Sequence, residues 1–161
     1  MTGIANYGHI YYPSNNNSAV INAMLSGRTW EQKLVNIFKK HIKSTDVVVD
    51  VGSYIGLHSF EMSKLGRKVY SYEPQPLISA CVMKSLEGLE ITNVEHHNMA
   101  IGNYSGKTFI HTNNDGDASL EGIRDNKFRS KYECRIERLD NMINEPISFI
   151  KIDVEGSEFQ V

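Results

Sequence analysis

Short apolar segments alternate with longer segments of helical periodicity along most of this chain of 161 residues. The run VVVDV at 47–51 is apolar on both sides, as in a strand buried within a parallel sheet. The next segment, IGLHSFEMSKL, has the spacing of a helix that ends at Gly66. Similar apolar runs predict further strands at 68–73, 93–101, 105–112, 131–139 and 148–154.

A helix with a strong apolar face is predicted ahead of the first strand, over TWEQKLVNIFKKHI (29–42). Thr29 is expected to cap this helix, with Gln32 completing a capping box. The apolar face is formed by residues at helical spacing, namely Trp30, Leu34, Ile37, Phe38 and Ile42.

This alternation of strands and helices predicts the α/β class, because right-handed crossovers join parallel neighbours. We expect a Rossmann-like, mostly parallel sheet with helices on both faces. Residues 1–45 are expected to form a lead-in and helix, and residues 46–161 the sheet, within a single domain overall. Ligands of such sheets bind beyond the carboxyl ends of the strands.

Composition and charge narrow the classes of partner. Hydrophobic residues make up 40% of the chain and charged residues 22%, as in ordinary folded proteins. The formal net charge of −2 indicates no basic surface, from which we expect no nucleic acid partner. No apolar run approaches about 18 residues, so no membrane span is expected. Cys81 and Cys134 lack metal-binding spacing and suit a reducing compartment, so the cytoplasm is the expected location.

The loop after the first predicted strand, GSYIG at 52–56, departs from a dinucleotide-binding motif. That motif requires G-x-G-x-x-G, and Tyr54 stands where its middle glycine would be. Three acids, Asp50, Glu73 and Asp153, are expected at strand ends around one crevice. A pyrophosphate there would meet like charges, at roughly 4 kcal/mol for each pair about 4 Å apart.

A ligand with positive charge and ribose hydroxyls fits these acids better, and S-adenosylmethionine has both. Glu73, at the end of the second strand, can accept hydrogen bonds from both ribose hydroxyls. Asp50 can face the ammonium group of the same ligand, directly or through water. The sequence therefore favours a ligand without phosphate.

Four blocks of sequence then match one family in the family's own order: VVVDVGSYIG, YEPQP, NMAIGNYSG and FIKIDVEGSE. The chain resembles the FkbM-like family of class I S-adenosylmethionine-dependent methyltransferases from about residue 46 to its end. The resemblance implies the Rossmann-like fold of that class and O-methylation, often of sugar hydroxyls, so the acceptor is expected to be a glycan or a small molecule. It assigns S-adenosylmethionine to positions in the first three blocks: Asp50, Gly52, Ser53, Gly56, Glu73, Asn98 and Met99.

Methyl transfer to a hydroxyl requires a group that accepts the hydroxyl proton. Asp153 is the candidate base and His58 the alternative, since both are expected near the crevice. Glu155 and Ser119, the latter in the loop NNDGDASLEG, are candidates for contact with the acceptor. Asp153, Glu155 and Glu158 form an oxygen-rich group, but strand alternation separates their directions, so no metal site is predicted.

Two other classes of function stay open. An NAD(P)-dependent oxidoreductase is built on a similar sheet, although the missing third glycine and the three acids disfavour it. The second alternative is a non-catalytic module that binds S-adenosylmethionine or another protein.

The end of the chain carries a further expectation. Only EGSEFQV follows the predicted strand at 148–154, and the resemblance implies more strands after that point. An apolar strand at the edge of a sheet normally pairs with another chain. We therefore expect either that residues 1–161 are a portion of a longer product or that a second copy of the chain covers this edge.

Overall fold

In a computed structural model of the chain, the described residues are 2–5, 8–14, 18–112, 118–120 and 130–161. Their helices are α1 (Ala19–Leu25), α2 (Gln32–His41), α3 (Leu57–Ser63), α4 (Pro76–Gly88), α5 (Leu139–Met142) and a 3-10 helix (Glu158–Gln160). Their strands are β1 (Thr2–Ala5), β2 (Gly8–Tyr11), β3 (Val47–Val51), β4 (Lys68–Tyr72), β5 (Val94–His97), β6 (Ala100–Ile101), β7 (Gly106–Thr112), β8 (Ala118–Leu120), β9 (Ser130–Glu137) and β10 (Phe149–Ile152).

The central sheet contains four parallel strands in the order β10–β3–β4–β5 within the described part of the chain. All five residues of β3 are buried, because this strand has a neighbour on each side and packed residues on both faces. In the register of the sheet, Asp50 lies beside Lys151 of β10 and Ser71 of β4. The predicted α/β class and the parallel sheet are confirmed.

Alternate residues of β3 divide the core into two layers. Val48 packs against α2 and α3 in a cluster that includes Phe38 and Met62. Val49 faces the other side of the sheet, where the cluster includes Ile143 just after α5. A third cluster joins β2, α1, α3 and α4. Helical segments therefore lie on both faces of the sheet, and the N-terminal elements pack on the helical layer.

The strand predicted at 93–101 is instead two strands in different sheets, so that prediction was wrong. β5 belongs to the central sheet, whereas β6 pairs with β9. The chain turns between them at Asn98, whose side-chain amide donates a 2.9 Å hydrogen bond to the carbonyl of Glu73. The second sheet has the order β6–β9–β7–β8, with β7 antiparallel to both β8 and β9.

Helix α2 begins later than its sequence predicts. Its first residue is Gln32, and the capping position is occupied by Glu31, which has a left-handed backbone and makes no side-chain capping bond. The predicted cap at Thr29 was therefore wrong. The buried stripe is also rotated, since Val35 is 1% exposed while Ile37 is 47% exposed. No helix among the described residues has the length and apolar character needed to cross a bilayer.

Candidate functional site

A cavity of about 440 Å³ lies at the carboxyl ends of β3, β4 and β10, where ligands of parallel sheets are bound. The loop at 52–54 after β3 forms one wall, the loop at 73–75 after β4 a second, and residues 153–155 after β10 a third. Its volume lies within the range of small-molecule sites, roughly 300–1,000 Å³. The cavity is therefore the candidate functional site.

The structure brings most of the predicted site residues to this cavity. The lining includes Gly52, Ser53, His58, Glu73, Met99, Asp153 and Glu155. Three other predicted residues lie outside the lining, namely Asp50, Gly56 and Asn98. Ser119 lies in strand β8, opposite His111 of β7, and not in a loop; its side chain is outside the described residues.

The glycines of the first loop are required by the protein itself. Gly52 has φ of +78°, and a Cβ there would overlap the carbonyl oxygen of Asp153. Gly56 has φ of +87°, and a Cβ there would lie 2.7 Å from the ring of Phe60. The loop at 52–56 therefore packs tightly against Asp153, which follows β10, and against α3, and this packing explains both glycines without a ligand.

Glu73 is the most deeply buried acid in the cavity wall, at 4% exposure. Its Oε2 accepts a hydrogen bond from the backbone N–H of Tyr54 at 3.0 Å, and its Oε1 accepts one from Gln75 at 2.9 Å. Burial raises the pKa of Glu73 to about 7, against the opposing effect of these two N–H groups. The carboxyl is thus held rigidly, with further lone pairs available for ligand hydroxyls.

Asp50 is fully buried beneath the cavity, where it has a protein cation as its partner. The Nζ atom of Lys151 lies 3.1 Å from its Oδ1, and the hydroxyl of Ser59 donates to its Oδ2 at 2.6 Å. Lys151 also donates to the carbonyl of Gly52 at 2.9 Å. Burial by itself lowers the pKa of Lys151. The carboxylates of Asp50 and Asp153 have the opposite and together larger effect, so the pKa of Lys151 lies above its ordinary value.

Lys151 is a site residue that the sequence analysis missed. The signal was present, because a lysine within an apolar strand indicates a buried partner of opposite charge. In the parallel register this partner is Asp50 of β3.

Asp153 and Glu155 lie at the rim of the cavity. The Asp153 side chain is 59% exposed, with its Oδ2 3.7 Å from the Nζ atom of Lys151. The Oε1 atom of Glu158 accepts hydrogen bonds from the backbone N–H groups of Val154 and Gly156. No three potential metal ligands meet anywhere in the described part of the chain.

His58 and Glu31 lie together at another part of the cavity wall. The Nε2 atom of His58 is 3.4 Å from Oε2 of Glu31, and the His58 side chain is 7% exposed. Burial lowers the pKa of His58, against the opposing effect of Asp50, so the imidazole is neutral near pH 7. Glu31 was missed in the sequence because the helix was expected to begin before it.

Tyr54 closes one side of the cavity. Its backbone φ is +50°, and its hydroxyl shares a 3.0 Å hydrogen bond with the hydroxyl of Ser18 at the start of α1. Both residues line the cavity. The bulky residue in the first loop therefore ties this loop to the N-terminal part of the chain.

The charges around the cavity favour a ligand with positive charge. Four of the described lining residues are acids, and Lys151 is the one lysine or arginine among them. The acids are Glu31, Glu73, Asp153 and Glu155. Because Lys151 is already paired with Asp50, the lining has no spare cation for a phosphate group.

A parallel sheet with a buried acid at the end of β4 and an acid-rich cavity beside it fits a Rossmann-like class I methyltransferase domain. The chain belongs to the family of methyltransferase FkbM domains, whose model matches residues 50–161. The predicted family and its S-adenosylmethionine cofactor are thereby confirmed, and the oxidoreductase alternative is set aside.

One solved structure shows the same fold over most of the chain, and two others match a smaller part of it. The methyltransferase FkbM from Methylobacillus flagellatus KT matches with a TM-score of 0.53 and 16% identity, over 88% of this chain and 37% of that chain. SMU.1697c from Streptococcus mutans, in complex with SAH, matches with a TM-score of 0.41 and 20% identity, over 43% and 39%. An rRNA methylase from Streptococcus thermophilus matches with a TM-score of 0.41 and 20% identity, over 42% and 41%. No match is found among curated proteins.

The chain thus spans well under half the length of each of these three proteins. Our expectation of no nucleic acid partner was wrong. An rRNA methylase is among the similar structures. Methylation of rRNA is the activity given for that protein, and it is not assigned to this chain.

Proposed function

We propose that this chain forms the cofactor-binding part of an S-adenosylmethionine-dependent methyltransferase that methylates a hydroxyl group of a sugar, glycan or small molecule. The observation that carries the proposal is the buried carboxyl of Glu73 at the end of β4. Two backbone N–H groups hold this carboxyl in place, and it lines an acid-rich cavity. A carboxylate so fixed is suited to two neighbouring hydroxyls, such as those of a ribose.

The residues of the cavity fit S-adenosylmethionine. When bound, this cofactor supplies a methyl group on a positively charged sulfur, and it carries an ammonium group, a carboxylate, a ribose and no phosphate. Glu73 would hold the ribose hydroxyls, and Met99, buried in the same lining, would contact the adenine. The acids Asp153 and Glu155 at the rim would favour the positive charge of the ligand.

Asp153 is our proposed base. It follows β10 at the cavity rim, where its half-exposed carboxylate can meet a hydroxyl acceptor and take its proton. Lys151, which lies between Asp50 and Asp153, would hold both carboxylates in place. Glu155 would contact the acceptor from the same rim. Correct alignment of acceptor and methyl group alone can supply several kcal/mol.

Binding of S-adenosylhomocysteine tests the cofactor part of the proposal. Titration calorimetry should show binding of this compound and none of NAD or NADP. Glu73→Ala should weaken binding by about 1.5–3 kcal/mol, the usual worth of hydrogen bonds to a charged group. Glu145→Ala is a matched control, because Glu145 lies outside the cavity and pairs with Arg67. If the folded Glu73→Ala variant bound S-adenosylhomocysteine as tightly as the wild type does, Glu73 would not be the residue that holds the ribose.

Methyl transfer from labelled S-adenosylmethionine tests the acceptor. Separate reactions should contain a glycan extract, a small-molecule extract and total RNA, with label expected on a hydroxyl oxygen in the first or second. Label in RNA alone would overturn the proposed acceptor class. Binding without transfer to any fraction would favour the non-catalytic module.

A further inference from the structure

Glu31 has an unusual backbone for a residue at the rim of a cavity. It has φ of +45°, in the left-handed region that residues with a Cβ rarely occupy. Glu31 occupies the N-cap position of α2, but its side chain makes no capping bond to the helix. Its side chain instead lines the cavity and is 45% exposed. Strained residues of this kind concentrate at functional sites.

The partner that faces Glu31 is a buried nitrogen without a hydrogen bond. Nε2 of His58 has no hydrogen-bond partner among the described residues, although the side chain is 7% exposed. Because burial lowers the pKa of His58, the ring is neutral and the 3.4 Å approach to Glu31 is not an ion pair. When the ring is protonated on Nδ1, the Nε2 lone pair and the Glu31 carboxylate are two adjacent acceptors. A positively charged donor would satisfy both.

Asp50, the acid expected from the sequence to face an ammonium group, is not available for this purpose. It lies outside the cavity lining, and Lys151 and Ser59 already bind its two oxygens. Glu31 has no lysine or arginine partner among its described contacts. Glu31 and Lys151 both line the cavity.

We propose that Glu31 and His58 form a binding site for the ammonium group of an α-amino acid. In the methyltransferase proposed above, on which this inference rests, that group belongs to the amino-acid end of S-adenosylmethionine. The ammonium donates to the Glu31 carboxylate and to Nε2 of His58. His58 is then a ligand-binding residue and not the base. Glu31 precedes the segment at 50–161 that matches the family, so the N-terminal part of the chain completes the site.

Removal of the amino group from the ligand tests this site by binding alone. Titration calorimetry should compare S-adenosylhomocysteine with its desamino analogue, in which hydrogen replaces the amino group. The wild-type protein should bind S-adenosylhomocysteine about 10- to 100-fold more tightly, as a charge-assisted hydrogen bond implies. In Glu31→Gln the preference should fall to about threefold or less, because the charge of the carboxylate is lost.

Glu90→Gln is the matched control. Glu90 is also an exposed glutamate with a left-handed backbone, at φ of +54°, and it lies outside the cavity lining. This variant should keep the full wild-type preference. Glu31→Gly relieves the backbone strain and should lose the preference as Glu31→Gln does, so a folding defect in one variant leaves the other as the test.

The outcomes separate this inference from the function on which it rests. If the wild-type protein does not bind S-adenosylhomocysteine, the proposed function fails and this site fails with it. If the wild-type protein binds it and the two Glu31 variants keep the full preference for the amino group, the ammonium site alone is overturned.

Discussion

The Nζ atom of Lys151 lies 3.1 Å from Oδ1 of Asp50, and neither side chain is more than 8% exposed. The two residues are direct neighbours in the register of β10 and β3. Lys151 also donates to the carbonyl of Gly52, so one ammonium group joins the edge strand to the loop that forms the cavity wall. The cavity thus depends on a buried charge pair beneath it.

Loss of one member of this pair should destabilise the fold strongly. Lys151→Met should lower the free energy of unfolding by about 3–5 kcal/mol, because Asp50 is left as a buried charge without its partner. Urea denaturation measures this change. The double variant Asp50→Asn with Lys151→Met should recover much of the loss, since neither position then carries an unpaired charge.

An exposed pair provides the control for that measurement. Lys107 and Glu133 are 2.6 Å apart, with side chains 74% and 51% exposed. Lys107→Met should change the free energy of unfolding by less than about 1 kcal/mol. Similar values for Lys107→Met and Lys151→Met would contradict a special role for the buried pair.

Gly27 and Gly52 have similar left-handed backbones, so substitutions at these two positions distinguish the cost of steric overlap from the cost of backbone strain. Gly27 has φ of +71° and open space where a Cβ would be, whereas at Gly52, with φ of +78°, a Cβ would overlap the carbonyl oxygen of Asp153. Gly27→Ala should cost about 1–2 kcal/mol in the free energy of unfolding, the cost of a left-handed residue. Gly52→Ala should cost about 1–3 kcal/mol more, because the loop or β10 must move. Thermal or urea unfolding of both variants gives the comparison, and equal costs would contradict the tight packing.

The strands at the centre of the fold were predictable because their local pattern and their tertiary environment agree. VVVDV and FIKI are short apolar runs, and each is a strand of the parallel sheet. Parallel strands place their carboxyl ends together, so the sequence also located the cavity and brought Glu73 and Asp153 to it. These features depend on the order of elements alone.

The remaining features depend on contacts between distant segments, which periodicity does not report. The partner of Asp50 follows from the register of β10 against β3, set by packing across the whole sheet. At the break between β5 and β6, the side chain of Asn98 donates a hydrogen bond to the carbonyl of Glu73, 25 residues earlier. Glu31 was missed because the local sequence at Thr29 has the pattern of a helix cap, which predicts that the helix begins before Glu31. In the structure α2 begins at Gln32, and Glu31 precedes it.

The buried carboxyl of Glu73 should make stability depend on pH. Its pKa is raised by burial to about 7 from an ordinary 4.5, so the folded state holds the proton more tightly than the unfolded state does. The resulting stabilisation is full below about pH 4.5 and is lost as pH rises through about 7, a change of roughly 3 kcal/mol. Glu73→Gln removes this titration, so its stability relative to the wild type should increase between pH 5 and pH 8.

Urea unfolding of the wild type and Glu73→Gln at pH 5, 6, 7 and 8 measures that difference. The absolute stability of the variant is not the test, because glutamine loses one acceptor for the N–H groups of Tyr54 and Gln75. Glu87→Gln, at an exposed position in α4, is the control for the substitution itself. A constant difference between wild type and Glu73→Gln across this range would contradict a raised pKa.

Asp153→Asn should separate catalysis from cofactor binding, if Asp153 is the base as proposed. The side chain is 59% exposed and 3.7 Å from Lys151, so its charge contributes less than about 1 kcal/mol to stability and the variant should fold normally. Asparagine keeps the shape but cannot accept the hydroxyl proton, so turnover with a working acceptor should fall by about 10²–10⁴-fold. The affinity for S-adenosylhomocysteine should change by about threefold or less, because the cofactor is held mainly by other residues. Asp140→Asn, at an exposed acid outside the cavity, should leave both quantities unchanged. Normal turnover in the Asp153→Asn variant would show that another group accepts the proton.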